Sequence, residues 1–409
     1  MAFITSLRIK NFFSIKDEVT IDFKASPYNI ENNPDRLFEF NGEFYNKIIS
    51  LYGANASGKT TVLKAISTLS KVIFNEQSDY FYSSFKNKFS NLEVASELEV
   101  SFVLNIENKL EEFNYKLVFK SKKYENIGIE NEELTHIKED KNEVLFNREK
   151  EQVVNVDGNI IESIFKKLSE KKSLIQDFFI FEKTKKLEGI RSLFLMINVS
   201  SNIDPLSTRL SATITDEQNI ADMLDKRYSE FENYELEKFF VSFFNSIGHD
   251  IVQIKSNFKE EDGKEREFLG IELYHDINQQ VPLEFSFESD GTQMLMKILL
   301  DIFLSKMMKA PLIIDELDSI IHPMLVPIII NLLIENDIQI IYSTHNIYNM
   351  QFLQNDEIFL IEKNSEHETK IESVKDNPNI KGYENLLTHY ENGDLGGIPK
   401  VEDLITKIF

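Results

Sequence analysis

The residues best suited to chemistry are Gly53-Ala54-Asn55-Ala56-Ser57-Gly58-Lys59-Thr60-Thr61, spaced G-x-x-x-x-G-K-T. Gly53 and Gly58 let the backbone turn sharply and approach a phosphate closely. Consecutive amides from Asn55 to Thr61 then point inward, and a following helix adds its positive end. Lys59 can reach the β- and γ-phosphates of ATP, and the Thr60 hydroxyl can hold Mg²⁺.

Two further stretches suit the same ligand. Residues 311–318 read Pro-Leu-Ile-Ile-Asp315-Glu316-Leu-Asp318, an apolar strand that ends in carboxylates. Asp315 can complete the Mg²⁺ shell with Thr60. Glu316 can polarise the water that attacks a γ-phosphate. Residues 338–342 form another apolar strand, followed by Ser343-Thr344-His345, and a histidine there suits a γ-phosphate sensor. Lys59, Glu316 and His345 are therefore the candidate catalytic residues. Ser289-Asp290-Gly291-Thr292 precedes an amphipathic helix, so Ser289 reads as its N-cap. The other reading is a loop whose amides, helix dipole and serine hydroxyl grip a γ-phosphate bound to a second subunit, with Gly291 needed for close approach.

These residues need elements to position them. A run of β-formers at 48–52 leads into the loop, and Val62, Leu63, Ile66, Leu69, Val72 and Ile73 give the following helix one apolar face. Residues 2–10 and 18–24 alternate as two strands around a turn, and 25–46, rich in Pro and Asn, reads as a loop. From Glu97 to 156 alternation returns, a meander of antiparallel strands. Residues 160–190 and 217–247 turn helical; Leu236, Phe239, Phe240, Phe243, Phe244 and Ile247 form a stripe that reads as core, ended by Gly248. The fold class expected is α/β: an N-terminal lobe over 1–160 with the phosphate loop and meander, a helical insertion over 161–250, and a C-terminal lobe over 251–409.

Composition narrows the function. With 409 residues the chain can build two or three domains' worth of core. A net charge of −23 repels a phosphate backbone, so nucleic acid could bind only at a local basic groove or through a partner. Cys is absent, which excludes disulfides and thiolate metal sites and suits the cytosol. No apolar run reaches the roughly 18 residues of a membrane span. The opening residues are too short and too polar for a signal peptide, so a cytoplasmic location is expected.

Together the four motifs resemble ABC-type ATPase heads of the structural-maintenance, recombination-repair and overcoming-lysogenization (OLD) group. The matching residues are Gly-x-Asn-x-Ser-Gly-Lys-Thr at 53–60, Ser-x-Gly-Thr at 289–292, Ile-Ile-Asp-Glu-Leu-Asp at 313–318 and Ser-Thr-His at 343–345, with Ile-x-Asn-Phe-Phe-Ser-Ile at 9–15 similar to the group's N-terminal strand and turn. The resemblance implies an ABC-type head with an antiparallel β subdomain, a mainly parallel core sheet and ATP sandwiched between two heads in a dimer or larger homo-oligomer. It implies that Ser289 and Gly291 act in trans and that Asp318 lies in the D-loop.

The tail, Tyr390-Glu-Asn-Gly393-Asp394-Leu395-Gly396-Gly-Ile398-Pro399, looks like the ending of AbiL and RloA ATPases, whose relatives serve PARIS systems. Asp394 stands where a basic residue is usual, and Leu395 where an aromatic is usual. This resemblance implies an anti-phage, abortive-infection ATPase acting with a separate Toprim or RloB-like effector and a phage-encoded trigger. The residues after His345 hold two strands and the tail, so a Toprim domain is expected on another chain. The alternative is a repair ATPase acting directly on DNA, which a lysine cluster at Lys166, Lys167, Lys171, Lys172, Lys183, Lys185 and Lys186 could serve. Glu170, Glu182 and Glu188 interleave with that cluster, as on a solvated helix face.

Overall fold

The computed structural model describes residues 1–74, 86–91, 94–119, 128–139, 141–149, 152–156, 173–175, 185–200, 233–259, 267–275, 282–377, 380, 386–392 and 395. From the N-terminus, β1 (Ala2–Lys10) and β2 (Val19–Asp22) form a hairpin, followed by α1 (Pro27–Asn32) and a second hairpin, β3 (Leu37–Phe40) and β4 (Glu43–Asn46). Strand β5 (Ile48–Tyr52) leads through the glycine-bounded loop into α2 (Lys59–Phe74). The meander is β6 (Ser96–Ile106), β7 (Lys109–Phe119), β8 (Ile129–Ile137), β9 (Glu143–Glu149) and β10 (Gln152–Val156). Helices α3 (Lys185–Ser200) and α4 (Asn233–Ser246) precede β11 (Gln253–Lys259), β12 (Glu267–Tyr274) and β13 (Leu283–Glu284). Then come α5 (Asp290–Met308), β14 (Leu312–Ile314), α6 (Leu317–Ile320), α7 (Val326–Glu335), β15 (Ile340–Ser343), β16 (Ile358–Lys363), β17 (Thr369–Ser373) and α8 (Leu386–Asn392).

Two sheets carry the molecule. One is antiparallel in the order β10-β9-β8-β7-β6-β1-β2. The other runs β14-β15-β5-β16-β17, with its first four strands parallel and β17 antiparallel at the edge. The α/β class, the antiparallel subdomain and the mainly parallel core sheet expected from the sequence are all present.

The parallel sheet is a partition between two cores. Ile49, Leu51, Ile313, Ile341, Phe359 and Ile361 face one cluster, with α2, α3 and the inner face of the meander. The alternate residues Ile48, Tyr52, Leu312, Ile314, Ile340, Tyr342, Ile358 and Leu360 face the other, with α4, α5 and α7. Burial on both faces is why these strands read as unbroken apolar runs while the meander strands alternate. The expected apolar face of α2, from Val62 to Ile73, is fully buried, and each such side chain contributes roughly 1.5–3 kcal/mol.

The helical stretches between the lobes feed both cores. Ile190, Leu193, Phe194 and Ile197 of α3 lie with α2 and the meander, and Ser70 of α2 donates to the Phe194 carbonyl at 2.5 Å. The α4 stripe packs as core, with Phe239 5.8 Å from Phe303 of α5. Gly248 at φ +86 ends α4, and the His249 amide donates back to the Phe244 carbonyl at 2.9 Å. Apart from 173–175, the remainder of 160–190 and 217–247, including Lys166, Lys167, Lys171, Lys172 and Lys183, lies outside the described residues.

The stretch 25–46 is not a loop. Ser26 caps α1, accepting from the Asn29 amide at 3.2 Å, with Pro27 in the first turn. Asn41 and Gly42 both take positive φ, 50° and 78°, which joins β3 to β4 by the tight turn that Asn-Gly favours.

Candidate nucleotide site

The loop 53–58 leaves the carboxyl end of β5, the end at which parallel α/β sheets bind ligands. Both glycines are required there. A Cβ on Gly53 would strike the Ile361 carbonyl, and one on Gly58, at φ +118, would strike Thr369. Thr369 secures the loop: its hydroxyl donates to the Ser57 carbonyl at 2.8 Å and lies 2.7 Å from Ser14 Oγ. Ser14 Oγ in turn lies 3.0 Å from Thr61 Oγ1. The turn after β1 and the start of β17 therefore hold the loop from outside it.

Sheet register brings the second group to the loop. With β14 beside β15 and β15 beside β5, the ends of all three strands meet. Thr60 Oγ1 donates to Asp315 Oδ2 at 2.9 Å. The other carboxylate oxygen of Asp315 accepts from Ser343 Oγ, which also accepts from the Glu316 amide at 2.7 Å. Glu316 adopts φ 51°, the left-handed region. Asp318 accepts from the His345 amide at 3.1 and 3.3 Å, and His345 Nε2 lies 4.0 Å from Glu316 Oε1. Lys59 Nζ donates to the carbonyls of Gly53 and Ala54 at 2.9 and 3.2 Å and sits 3.4 Å from His345 Nδ1. Burial pushes the Lys59 ammonium below its ordinary value, against the pull of Asp315, Glu316 and Asp318.

Asn55, Ser57, Gly58, Lys59, Thr60, Thr61, Glu316 and His345 border a cavity of about 570 Å³. Lys86, Lys88 and Lys363 also line it, so among the described residues four lysines face one glutamate in a chain of net charge −23, a local field suited to a polyanion. Phe13 and Phe89 sit at its edge, where Asn87 joins their segments by donating to the Phe13 carbonyl at 2.7 Å. Sequence reasoning missed Phe89, Lys363 and Thr369 as parts of this site. No local spacing marks them; they arrive from other segments. A second cavity, of about 840 Å³, shares Asn55 and His345 with the first and is bordered by Gly53 and by Tyr390 and Glu391 of α8.

Ser289 and Gly291 are not brought to this cavity. Ser289 caps α5, accepting from the Thr292 amide at 3.1 Å. Among the described residues, a Cβ on Gly291 would meet Ser289 Oγ alone, at an ordinary contact distance of 3.8 Å. Of the tail residues, Tyr390 is buried and Leu395 is described, whereas Gly393, Asp394, Gly396, Ile398 and Pro399 lie outside the described residues.

The donor set fits a magnesium nucleotide. A glycine cradle that a Cβ would fill, a buried lysine on the loop, and a hydroxyl meeting a carboxylate provide for phosphate and for a hard, oxygen-seeking cation. Such a loop, with an acid-ended parallel strand beside it, defines a P-loop nucleotide-binding domain. Residues 48–350 match the family described as "AAA domain, putative AbiEii toxin, Type IV TA system", and the chain belongs to that family.

No curated protein sequence matches the chain. Solved structures with a similar fold include an SmcHead bound to the C-winged helix domain of ScpA, 13% identical over 94% of this chain and 99% of that one, at a TM-score of 0.48. An SMC head domain from Thermotoga maritima is 15% identical over 90% and 98%, at 0.41. An Smc head with an extended coiled coil, bound to the C-terminal domain of ScpA derived from Pyrococcus furiosus, is 13% identical over 96% and 99%, at 0.46. Similarity at that level establishes no shared activity or partner. Among the described residues no helix is long and apolar enough to cross a membrane.

Proposed function

We propose that this chain binds and hydrolyses ATP as an ABC-type head, and that paired heads serve as sensor and scaffold of a cytoplasmic abortive-infection system. The observation that carries the ATPase reading is the meeting of Thr60 with Asp315 beside Lys59. Mg²⁺, held by Thr60 and Asp315, would neutralise charge on the β- and γ-phosphates. The loop amides and Gly58 cradle the phosphates. Lys59 leaves the Gly53 and Ala54 carbonyls for phosphate oxygens. Glu316 polarises the attacking water, and His345 reports the γ-phosphate to Asp318, which holds its amide. Ser289 and Gly291 of a second copy close the site, which accords with the lack of any close contact to a Gly291 Cβ among the described residues.

The defence role is supported by the family description, which names an abortive-infection toxin and a toxin–antitoxin system, and by the AbiL- and RloA-like tail. The charge of −23 favours a separate protein effector, a Toprim or RloB-like nuclease responding to a phage product, over direct action on DNA. The test is Mg²⁺-dependent phosphate release from ATP, with Lys59→Ala as control, followed by phage challenge of cells carrying each form. Turnover by Lys59→Ala equal to wild type would sink the ATPase reading. Turnover lost with assembly and protection intact would sink the ATP-driven scaffold mechanism, and no protection by the wild-type form would sink the defence role. Copurification of Glu316→Gln with a stoichiometric nuclease is the expected result; nucleic acid with no protein partner would move the assignment to repair.

A further inference from the structure

We infer that Ser343 is a positioning residue of this site, fixing both the metal-binding carboxylate and the backbone of the residue that handles water. The inference rests on the ATPase reading above. Ser343 closes β15 and is fully buried. Its place follows from register. Ile314 pairs with Tyr342 across β14 and β15, so the next residues, Asp315 and Ser343, are neighbours, and Ser343 itself pairs with Leu51 on the strand that feeds the phosphate loop.

The hydroxyl is committed in both directions. Its proton goes to Asp315 Oδ1, and its lone pair takes the Glu316 amide at 2.7 Å. Thr60 holds the other Asp315 oxygen at 2.9 Å. The two hydroxyls differ in what they are attached to. Thr60 stands in the first turn of α2, directly after the loop that must reorganise around a nucleotide, whereas Ser343 belongs to the buried sheet. Ser343 therefore sets the rotation of the carboxylate and leaves Oδ2 facing Thr60, the side on which a cation would sit.

The same hydroxyl governs Glu316. This residue stands at φ 51°, ψ 53°, a conformation that a side chain with a Cβ keeps only where its surroundings over-determine it. The bond from its amide to Ser343 anchors that turn and sends the Glu316 carboxylate toward the cavity it lines. Alanine at 343 would take this acceptor from the part-buried Glu316 amide and leave Asp315 held by Thr60 without its second hydroxyl. Threonine keeps the hydroxyl.

The experiment compares wild type, Ser343→Ala, Ser343→Thr and Ser343→Cys by binding of a fluorescent ATP analogue, with EDTA and across a Mg²⁺ titration, and by turnover. For Ser343→Ala the expected result is a 10- to 100-fold rise in the Mg²⁺ concentration needed for half-maximal nucleotide binding, with binding in EDTA unchanged to about twofold and most of the loss restored in Ser343→Thr. Melting temperature checks folding; should the alanine protein fail to fold, the cysteine variant, a weaker donor, carries the test with an intermediate shift. A Mg²⁺ titration that matches wild type in the folded alanine protein, or otherwise in the cysteine protein, overturns the inference and leaves the ATPase reading standing. Wild type without any Mg²⁺-dependent nucleotide binding overturns both.

Discussion

Around Lys59 the polar groups answer one another within the chain. Thr60 and Ser343 share the two oxygens of Asp315, Asp318 holds the His345 amide, and Thr369 and Ser14 hold the loop. Around Ser289 the described residues supply the cap of α5, and Gly291 has no neighbour among them that a Cβ would strike. A surface finished by its own neighbours binds and positions, and one left open is completed by something else. On the ATPase reading, that something is the phosphate of a second copy, so one half of the machine is intramolecular and the other is an interface.

The comparison can be broken, starting from the largest effect. Glu316→Gln should lower ATP turnover about 1,000-fold while nucleotide binding survives and dimers accumulate, read by phosphate release and light scattering. Lys59→Ala should cost about 100-fold in kcat/KM and weaken binding, because the loop loses the one cation placed on it. Mixing Lys59→Ala with Gly291→Arg should restore part of the turnover that each lacks alone, since one composite site in the mixed dimer is intact; no recovery would place the open loop in cis and dissolve the contrast.

Two stability measurements sharpen it. Gly58→Ala should destabilise the fold by about 1–3 kcal/mol in chemical denaturation, since the new Cβ meets Thr369 at a φ that alanine resists. Asp301 on α5 tests the other half. Its Oδ1 is buried with no hydrogen-bond partner among the described residues, and burial holds its carboxyl well above the ordinary 3.8. The unfolded chain releases that proton near pH 3.8 while the folded chain keeps it, so stability falls as pH rises beyond that point, by about 1.4 kcal/mol per unit until the folded value is passed. Asp301→Asn should flatten that slope and be the more stable form at neutral pH. Equal slopes in the two proteins would mean that Asp301 is paired after all.

Much of this architecture is legible in residue order. Alternation marks β6 and β7, continuous apolar runs mark β5, β14 and β15, and the stripe from Leu236 to Ile247 marks a core helix, because each pattern is the burial of the element written along it. The hairpin at 37–46 was legible as well, since Asn41-Gly42 is its signal; the density of Pro and Asn around it hid a pair of short strands. Nothing local shows that α3 lies against the P-loop helix, or that Thr369 braces a glycine 311 residues earlier, because those contacts depend on helix packing and on the order of strands within the parallel sheet.

By itself the sequence determines the phosphate chemistry. Strand, glycine turn, lysine and helix start are consecutive from 48 to 61, so covalent connection alone gathers them. It also determines that an acid-ended strand and a histidine-ended strand exist. Only the tertiary structure decides that Thr60 meets Asp315 across 255 residues, that Ser343 holds Asp315 and Glu316 together, and that Ser289 stands apart. The order β14-β15-β5 is a choice of neighbours in a sheet, set by the burial of both its faces, and no single strand's pattern encodes its neighbour.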